Sequence, residues 1–147
     1  MRLLFNEDGH VAQWMFLKSR CQPMQFNLAI GLVDDSGQII GGFMFTGWNG
    51  SDAEVHYYGP KALKRRVVRA MMWIAANVLK LNRLTIRTRK ESMARGVLKL
   101  GAEYEGTIKR LYGPTDEDRH AGHQYVFWRE TILKLANKEP DPHVWRQ

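Results

Sequence analysis

The sequence predicts a mixed α/β fold in which a mostly antiparallel central sheet carries flanking helices. Three observations predict it. Short apolar or alternating runs joined by tight turns fill residues 26–58, the pattern of consecutive antiparallel strands. One long amphipathic segment opening on Lys64-Arg65-Arg66 separates a strand ending at Tyr58 from a strand starting at Leu84, and a helix between strands makes a parallel crossover. The chain has 147 residues and is 44 % hydrophobic. That is one domain's length, enough to bury a core.

In chain order, Met1 to Phe5 reads as a short opening strand. Asn6 or Asp8 is expected to cap a helix running to about Arg20, with Val11, Trp14, Met15 and Lys18 at helical spacing. Phe26 to Asp34 is strand-like, and Asp35-Ser36-Gly37 turns into a second strand, Gln38 to Thr46. Asn49-Gly50 is a strong hairpin signal because the pair accepts the positive φ values of a tight turn. A third strand, Asp52 to Tyr58, follows. In the next helix Val67, Val68, Met71, Met72, Ile74, Ala75, Val78 and Leu79 fall within an arc of about 160°, a core-facing stripe. Arg65, Arg66, Arg69, Trp73 and Asn77 lie opposite. Leu84 to Thr88 alternates as a strand. Glu91 to Leu100 reads as a short helix stopped by Gly101, and Glu103 to Leu111 as a strand. Tyr112 to Gly122 is a loop and Gln124 to Trp128 the last strand. The tail is expected to fray from about residue 132, after a helical turn or two near Thr131. The whole chain, 1–147, reads as a single domain without repeats or linkers.

Composition narrows the function classes. Nothing resembles a signal peptide, and no apolar run approaches the 18 residues of a membrane span. Cys21 is the only cysteine, so no internal disulfide can form, which fits a reducing cytoplasm. The net charge of +7 points to an anionic partner, and nucleic acid stays open on that ground. Arg119-His120-Ala121-Gly122-His123 lacks Cys or acid ligands in register, so no metal is expected. Trp14, Trp48, Trp73 and Trp128 are scattered over different elements and read as packing residues or cleft walls.

The start of the long helix carries the sharpest signal. The first turn of a helix presents unpaired N–H groups and partial positive charge, so acids are favoured there. Here Lys61, Lys64, Arg65, Arg66 and Arg69 crowd it, and no acid follows until Glu91. An anion resolves that conflict, and the segment reads as a phosphate cradle. The sheet's change to parallel pairing lies just before it. Strands that splay there expose backbone groups to a linear, amide-bearing ligand whose phosphates reach the helix. Coenzyme A has that shape.

Residues Glu54 to Gly106 resemble the GNAT superfamily of N-acyltransferases, and the strand order extends the resemblance from Met1 to about Thr131. Its elements are the strand Ala53-Glu54-Val55-His56-Tyr57-Tyr58, the turn Pro60 to Val68, and the run Val97-Leu98-Lys99-Leu100-Gly101-Ala102-Glu103-Tyr104-Glu105-Gly106. The chain is most similar to the branch with a glycine-poor, basic pyrophosphate loop: Lys64, Arg66 and Val68 replace the loop glycines. Lys90 stands in place of the family's usual Asn, and Val97 in place of a Tyr often proposed as general acid.

The resemblance implies a GNAT-like acyltransferase domain using acetyl-CoA (coenzyme A) as co-substrate. Tyr57, Tyr58, Lys61, Leu63, Lys64, Arg65, Arg66, Val67 and Val68 match its cofactor-binding segment. An amine-bearing acceptor, small molecule or protein, attacks the thioester directly, and the amine must first lose a proton. Glu54 matches the family's strand carboxylate. His56, two residues on, shares its strand face and can also take a proton. A backbone N–H near Tyr57 or Tyr58 would meet the oxyanion. Tyr104, Tyr112 and Tyr125 are candidates for protonating the thiolate. The implied acceptor cleft lies between Gln13–Met24 and Leu111–Gly122, where Asp116, Glu117 and Asp118 suit a cationic amine. The competing reading is a non-catalytic GNAT-fold module that binds nucleic acid or a protein. Either a monomer or a homodimer is compatible, with strand edges near Trp128 open to pairing.

Overall fold

The computed structural model describes residues 1–60 and 64–136. In chain order the elements are β1 (Arg2–Leu4), α1 (Asp8–Ser19), β2 (Leu28–Val33), β3 (Ile39–Thr46), β4 (Asp52–Tyr58) and α2 (Arg65–Asn77). They continue with β5 (Arg83–Thr88), α3 (Glu91–Lys99), β6 (Glu103–Ile108), β7 (Gly122–Trp128) and α4 (Arg129–Leu135). The strands form a 7-stranded sheet in the order β1-β2-β3-β4-β5-β7-β6. Every neighbouring pair is antiparallel except β4 and β5, which α2 connects as a parallel crossover. The predicted architecture is therefore the observed one.

Strand alternation sorts the side chains into two layers. On one face Phe43, Phe45, Ala53, Val55, Leu84 and Phe127 pack with Val67 and Met71 of α2, Val97 of α3 and Ile132 of α4. Phe43, Phe45 and Phe127 are almost fully buried, each worth about 1.5–3 kcal/mol relative to exposure. On the other face α1 lays Val11, Ala12 and Met15 against Ala29 and Met44. That helix covers β2 and β3 and meets Tyr58 of β4 through Trp14; beyond it the face carries Asp52, Glu54, Arg83, Thr85, Arg87 and Gln124, with buried Val126 opposite Thr85.

Several local expectations change. Neither Asn6 nor Asp8 caps α1: Glu7 occupies the cap without a side-chain bond, and Asp8 Oδ2 instead accepts the Ala29 N–H at 2.9 Å. Helix α2 ends at Asn77, so Val78 leaves the predicted stripe and is 49 % exposed. The opposite side is not uniformly polar, because Trp73 packs partly against the core. Gly101 has φ +105° just past α3, the left-handed stop its glycine makes easy. Strand β6 ends at Ile108, and the 109–121 loop contains a short 3-10 turn at Asp118–His120. The turn expected near Thr131 is α4, whose Ile132 is fully buried and anchors the chain at the position where fraying was expected to begin. Strand β7 lies inside the sheet, so the open edges are β1 and β6 and not the strand of Trp128.

Candidate active site

Strands β4 and β5 pair Asp52 with Arg83, Ala53 with Leu84 and Glu54 with Thr85, and there the ladder stops. Strand β4 runs on to Tyr58 and stays paired with β3, where Gly42 opposes Tyr58. Strand β5 runs on to Thr88, where His123 of β7 opposes it. Beyond Glu54 the two parallel strands diverge, and their facing edges hold backbone groups that no strand of the described residues pairs. The exit of β4 is packed tightly: a Cβ on Gly59 would lie 2.9 Å from Gly41 Cα. Glycine at both positions lets the chain leave the sheet against β3.

Glu54 and His56 share the face that α1 partly covers. Thr46 opposes Glu54 and Met44 opposes His56 across the β3–β4 ladder, and Met44 belongs to the α1 core. His56 Nε2 lies 3.7 Å from Glu54 Oε2 and 2.9 Å from Thr46 Oγ1. Burial of the ring holds the imidazole below its ordinary value of 6.5; Glu54 opposes that shift and Arg87 reinforces it. The ring is thus neutral at pH 7, able to accept a proton with a carboxylate beside it. The sequence-predicted pair is brought together.

Beside Glu54 lies a polar cleft of about 230 Å³ lined by Thr46, Gly47, Asp52, Glu54, Arg83, Thr85, Arg87 and Gln124; His56 stands behind Glu54 and does not line it. Sequence reasoning did not single out its β5 and β7 walls. The two arginines differ. Arg83 is held through one nitrogen: Nη2 donates to Glu105 and, at 3.4 Å, to Thr85 Oγ1, the guanidinium lies 5.4 Å from the Trp128 ring centre, and the buried Nε faces Asp52 Oδ1 at 3.4 Å without a hydrogen bond among the described residues. Its hydrogen bond holds the Glu105 carboxyl below the usual range. Among the described residues Arg87 donates only from Nε, to Gln124 Oε1 at 2.9 Å, and its Nη1 stands 3.7 Å from Glu54 Oε2. The available signal was the β5 alternation itself, since Arg83, Thr85 and Arg87 put polar side chains on one face of a central strand.

At the start of α2 the first turn contains no acid, and Lys64, Arg65 and Arg66 are exposed. Arg66 Nη1 donates to the Met1 carbonyl at 3.2 Å, tying the helix start to β1. Val67 and Val68 do not present side chains to a ligand. Both are buried, and their N–H groups donate to Lys64 O at 2.9 and 3.1 Å. They anchor the turn, while the N–H groups of Arg65 and Arg66 precede the first intrahelical bonds. Tyr57 and Tyr58 lie past the end of the ladder on opposite faces. Tyr57 Oη donates to the Pro60 carbonyl at 2.8 Å, and Tyr58 meets Trp14 edge-on at 6.0 Å. Lys61 and Leu63 lie outside the described residues.

The loop acids do not form an open anionic patch. Asp116 pairs with Arg110, Glu117 with Arg119 and Asp118 with His123. His120 bonds Thr115 and His123 bonds Thr107, so the two histidines turn to different partners. Of the three candidate tyrosines, Tyr104 and Tyr125 stack together at 5.6 Å on the far strands. Tyr112 lies on the Arg87 side of the site, its Oη 3.5 Å from the Arg87 carbonyl. It stacks 5.5 Å from Arg89, and its phenol is raised by burial and then by Glu54, against Arg89 and Arg87.

No protein-family model matches the chain, and no curated protein matches it by sequence. Solved structures do match in three dimensions. A spermidine N-acetyltransferase chimera from Vibrio cholerae superposes with a TM-score of 0.65 at 12 % identity, covering 90 % of this chain and 99 % of that one. The ribosomal-protein-S5-alanine acetyltransferase from Vibrio fischeri gives 0.58 at 19 % identity, over 80 % of this chain and 67 % of that one. A GNAT-family acetyltransferase from Bacillus anthracis gives 0.55 at 16 % identity; the chain spans 66 % of that protein, slightly under two thirds, and the match takes in 69 % of this chain. The architecture is that of GNAT acetyltransferases.

Proposed function

We propose that this chain, which has the fold of GNAT acetyltransferases, transfers an acetyl group from acetyl-CoA to a primary amine by direct attack. The observation that carries the reading is the end of the β4–β5 ladder at Glu54, beside the Glu54–His56 pair and on the same strand exit that leads to α2. The residues fit coenzyme A. Unpaired strand edges suit its amide-bearing arm, and an acid-free helix start with exposed Lys64, Arg65 and Arg66 suits its pyrophosphate. Lys61 and Leu63 belong to the same proposed segment, with Tyr57 and Tyr58 at its entrance and Val67 and Val68 as its buried anchor.

When bound, acetyl-CoA supplies an activated thioester. The Glu54–His56 pair takes the proton that the amine loses as its N–C bond forms and the C–S bond breaks, and returns it through solvent to the departing thiolate. Neutral His56 suits that role at pH 7. A polar cleft lined by Glu54 gives the amine its approach to the carboxylate of the pair.

Thiol release from acetyl-CoA, followed with and without primary amines, tests the reading. Release that depends on the amine is expected. Equal release with and without every amine tried contradicts it.

A further inference from the structure

The cleft beside Glu54 contains an open acceptor and an open donor fork at close range. Among the described residues, no side chain or backbone group donates a hydrogen bond to the Glu54 carboxylate; its nearest basic groups, the His56 ring and the Arg87 guanidinium, both stand at 3.7 Å. Arg87 is fixed through Nε on Gln124, while Nη1 and Nη2 donate no hydrogen bond to a described residue. The other charges of the cleft face one another: Asp52 accepts from Thr85 at 2.9 Å and faces Arg83, whose Nη2 is held by Glu105 and whose unbonded Nε is buried against Asp52. A planar guanidinium with a free edge matches a carboxylate in two parallel hydrogen bonds. A carboxylate with free lone pairs matches an amine.

We propose that the acceptor is a small α-amino carboxylate, its amine on Glu54 and its carboxylate on the free edge of Arg87. The inference rests on the transferase reading above. The span decides the class. Glu54 and Arg87 approach to 3.7 Å, so groups binding both must sit close together on one molecule, as the amine and carboxylate of an α-amino acid do. Size agrees: the cleft of about 230 Å³ is below the roughly 300–1,000 Å³ common for drug-sized ligands. Charge agrees as well. A polycationic amine would place positive charge against Arg87. The zwitterion instead alternates charge: Glu54, ammonium, carboxylate, Arg87. Its amine sits where the Glu54–His56 pair can take its proton.

The test uses the full chain and matched acceptors: the common α-amino acids, their carboxamides and their decarboxylated amines, each with acetyl-CoA and a thiol-release readout. At least one free amino acid is expected to exceed its carboxamide and its decarboxylated amine by about tenfold or more in kcat/KM, since a site built to pair a group rejects analogues lacking it. Arg87→Gln is expected to remove most of that preference while keeping its thermal shift with acetyl-CoA, which shows that it folds. Amides or simple amines used as well as the amino acids would overturn the proposal, as would a preference that survives Arg87→Gln. A normal acetyl-CoA shift with no α-amino acid turned over would overturn the acceptor class alone. No shift with acetyl-CoA would overturn the transferase reading beneath it.

Discussion

Glu54 and Thr85 form the last rung of the parallel ladder between β4 and β5. Three features converge on that rung. The carboxylate next to His56 is on it, the polar cleft opens over it, and the strand edges part beyond it. One residue further would close the backbone groups of Val55 into the sheet. Stopping there keeps a strand edge available inside a folded domain, where an extended ligand can pair with it.

Removing the proton acceptor should slow transfer without loosening the fold. Glu54→Gln and His56→Asn are each expected to lower kcat/KM by about 10²-fold or more, the usual contribution of a positioned base. Because the two groups act as a unit, the double variant should be little worse than the poorer single one. Steady-state rates at pH 7 check this, with acetyl-CoA thermal shifts as the folding control.

Stability should depend on pH through His56. Its folded value lies below the ordinary 6.5, chiefly through burial. The unfolded chain therefore takes up this proton more readily, and the stability contributed by the neutral ring is fully present above about 6.5. It is lost as pH falls below that value toward the folded one. Denaturant midpoints at pH 7.5 and 5.5 should drop less in His56→Asn than in the wild type. An equal drop in both would remove His56 as the cause.

Much of this arrangement was legible in the sequence because it depends on local periodicity. The hairpin at Asn49-Gly50, where only Gly50 of the pair takes positive φ, the α2 stripe and the acid-free helix start are all properties of neighbouring residues. Glu54 and His56 meet because strand side chains repeat every two residues. Arg87 was not legible as their neighbour. Its face followed from alternation within β5, but its pairing with Glu54 required the register of a parallel crossover, which long-range packing of α2 sets. The acids Asp116, Glu117 and Asp118 show the same limit: their charges are visible in the chain, but their neighbours Arg110, Arg119 and His123 are visible only in the fold. Val78 misled because nothing in the periodicity ends α2 at Asn77.

Two core substitutions test how the site is held. Ile132→Ala, in the fully buried anchor of α4, should cost about 2–5 kcal/mol. Gly59→Ala should cost about 1–3 kcal/mol, because the new methyl would lie 2.9 Å from Gly41 Cα and one backbone must shift to admit it. Gly59→Ala should also weaken acetyl-CoA binding, since Gly59 sets the path from β4 to α2, whereas Ile132→Ala should leave the affinity of the folded fraction unchanged. Chemical denaturation and ligand titration separate the two effects.

The most direct test of the account is thermal unfolding with and without acetyl-CoA, in the wild type and in Lys64→Glu/Arg65→Glu. These side chains are exposed at the helix start, so reversing them spares both the core and the Arg66 contact to Met1. A ligand at about 100 times its Kd adds roughly 2.7 kcal/mol, several degrees for a domain of this size. The account predicts a clear upward shift in the wild type that the charge-reversed protein loses while keeping its ligand-free Tm. No wild-type shift at millimolar acetyl-CoA, or an undiminished shift after charge reversal, would contradict it.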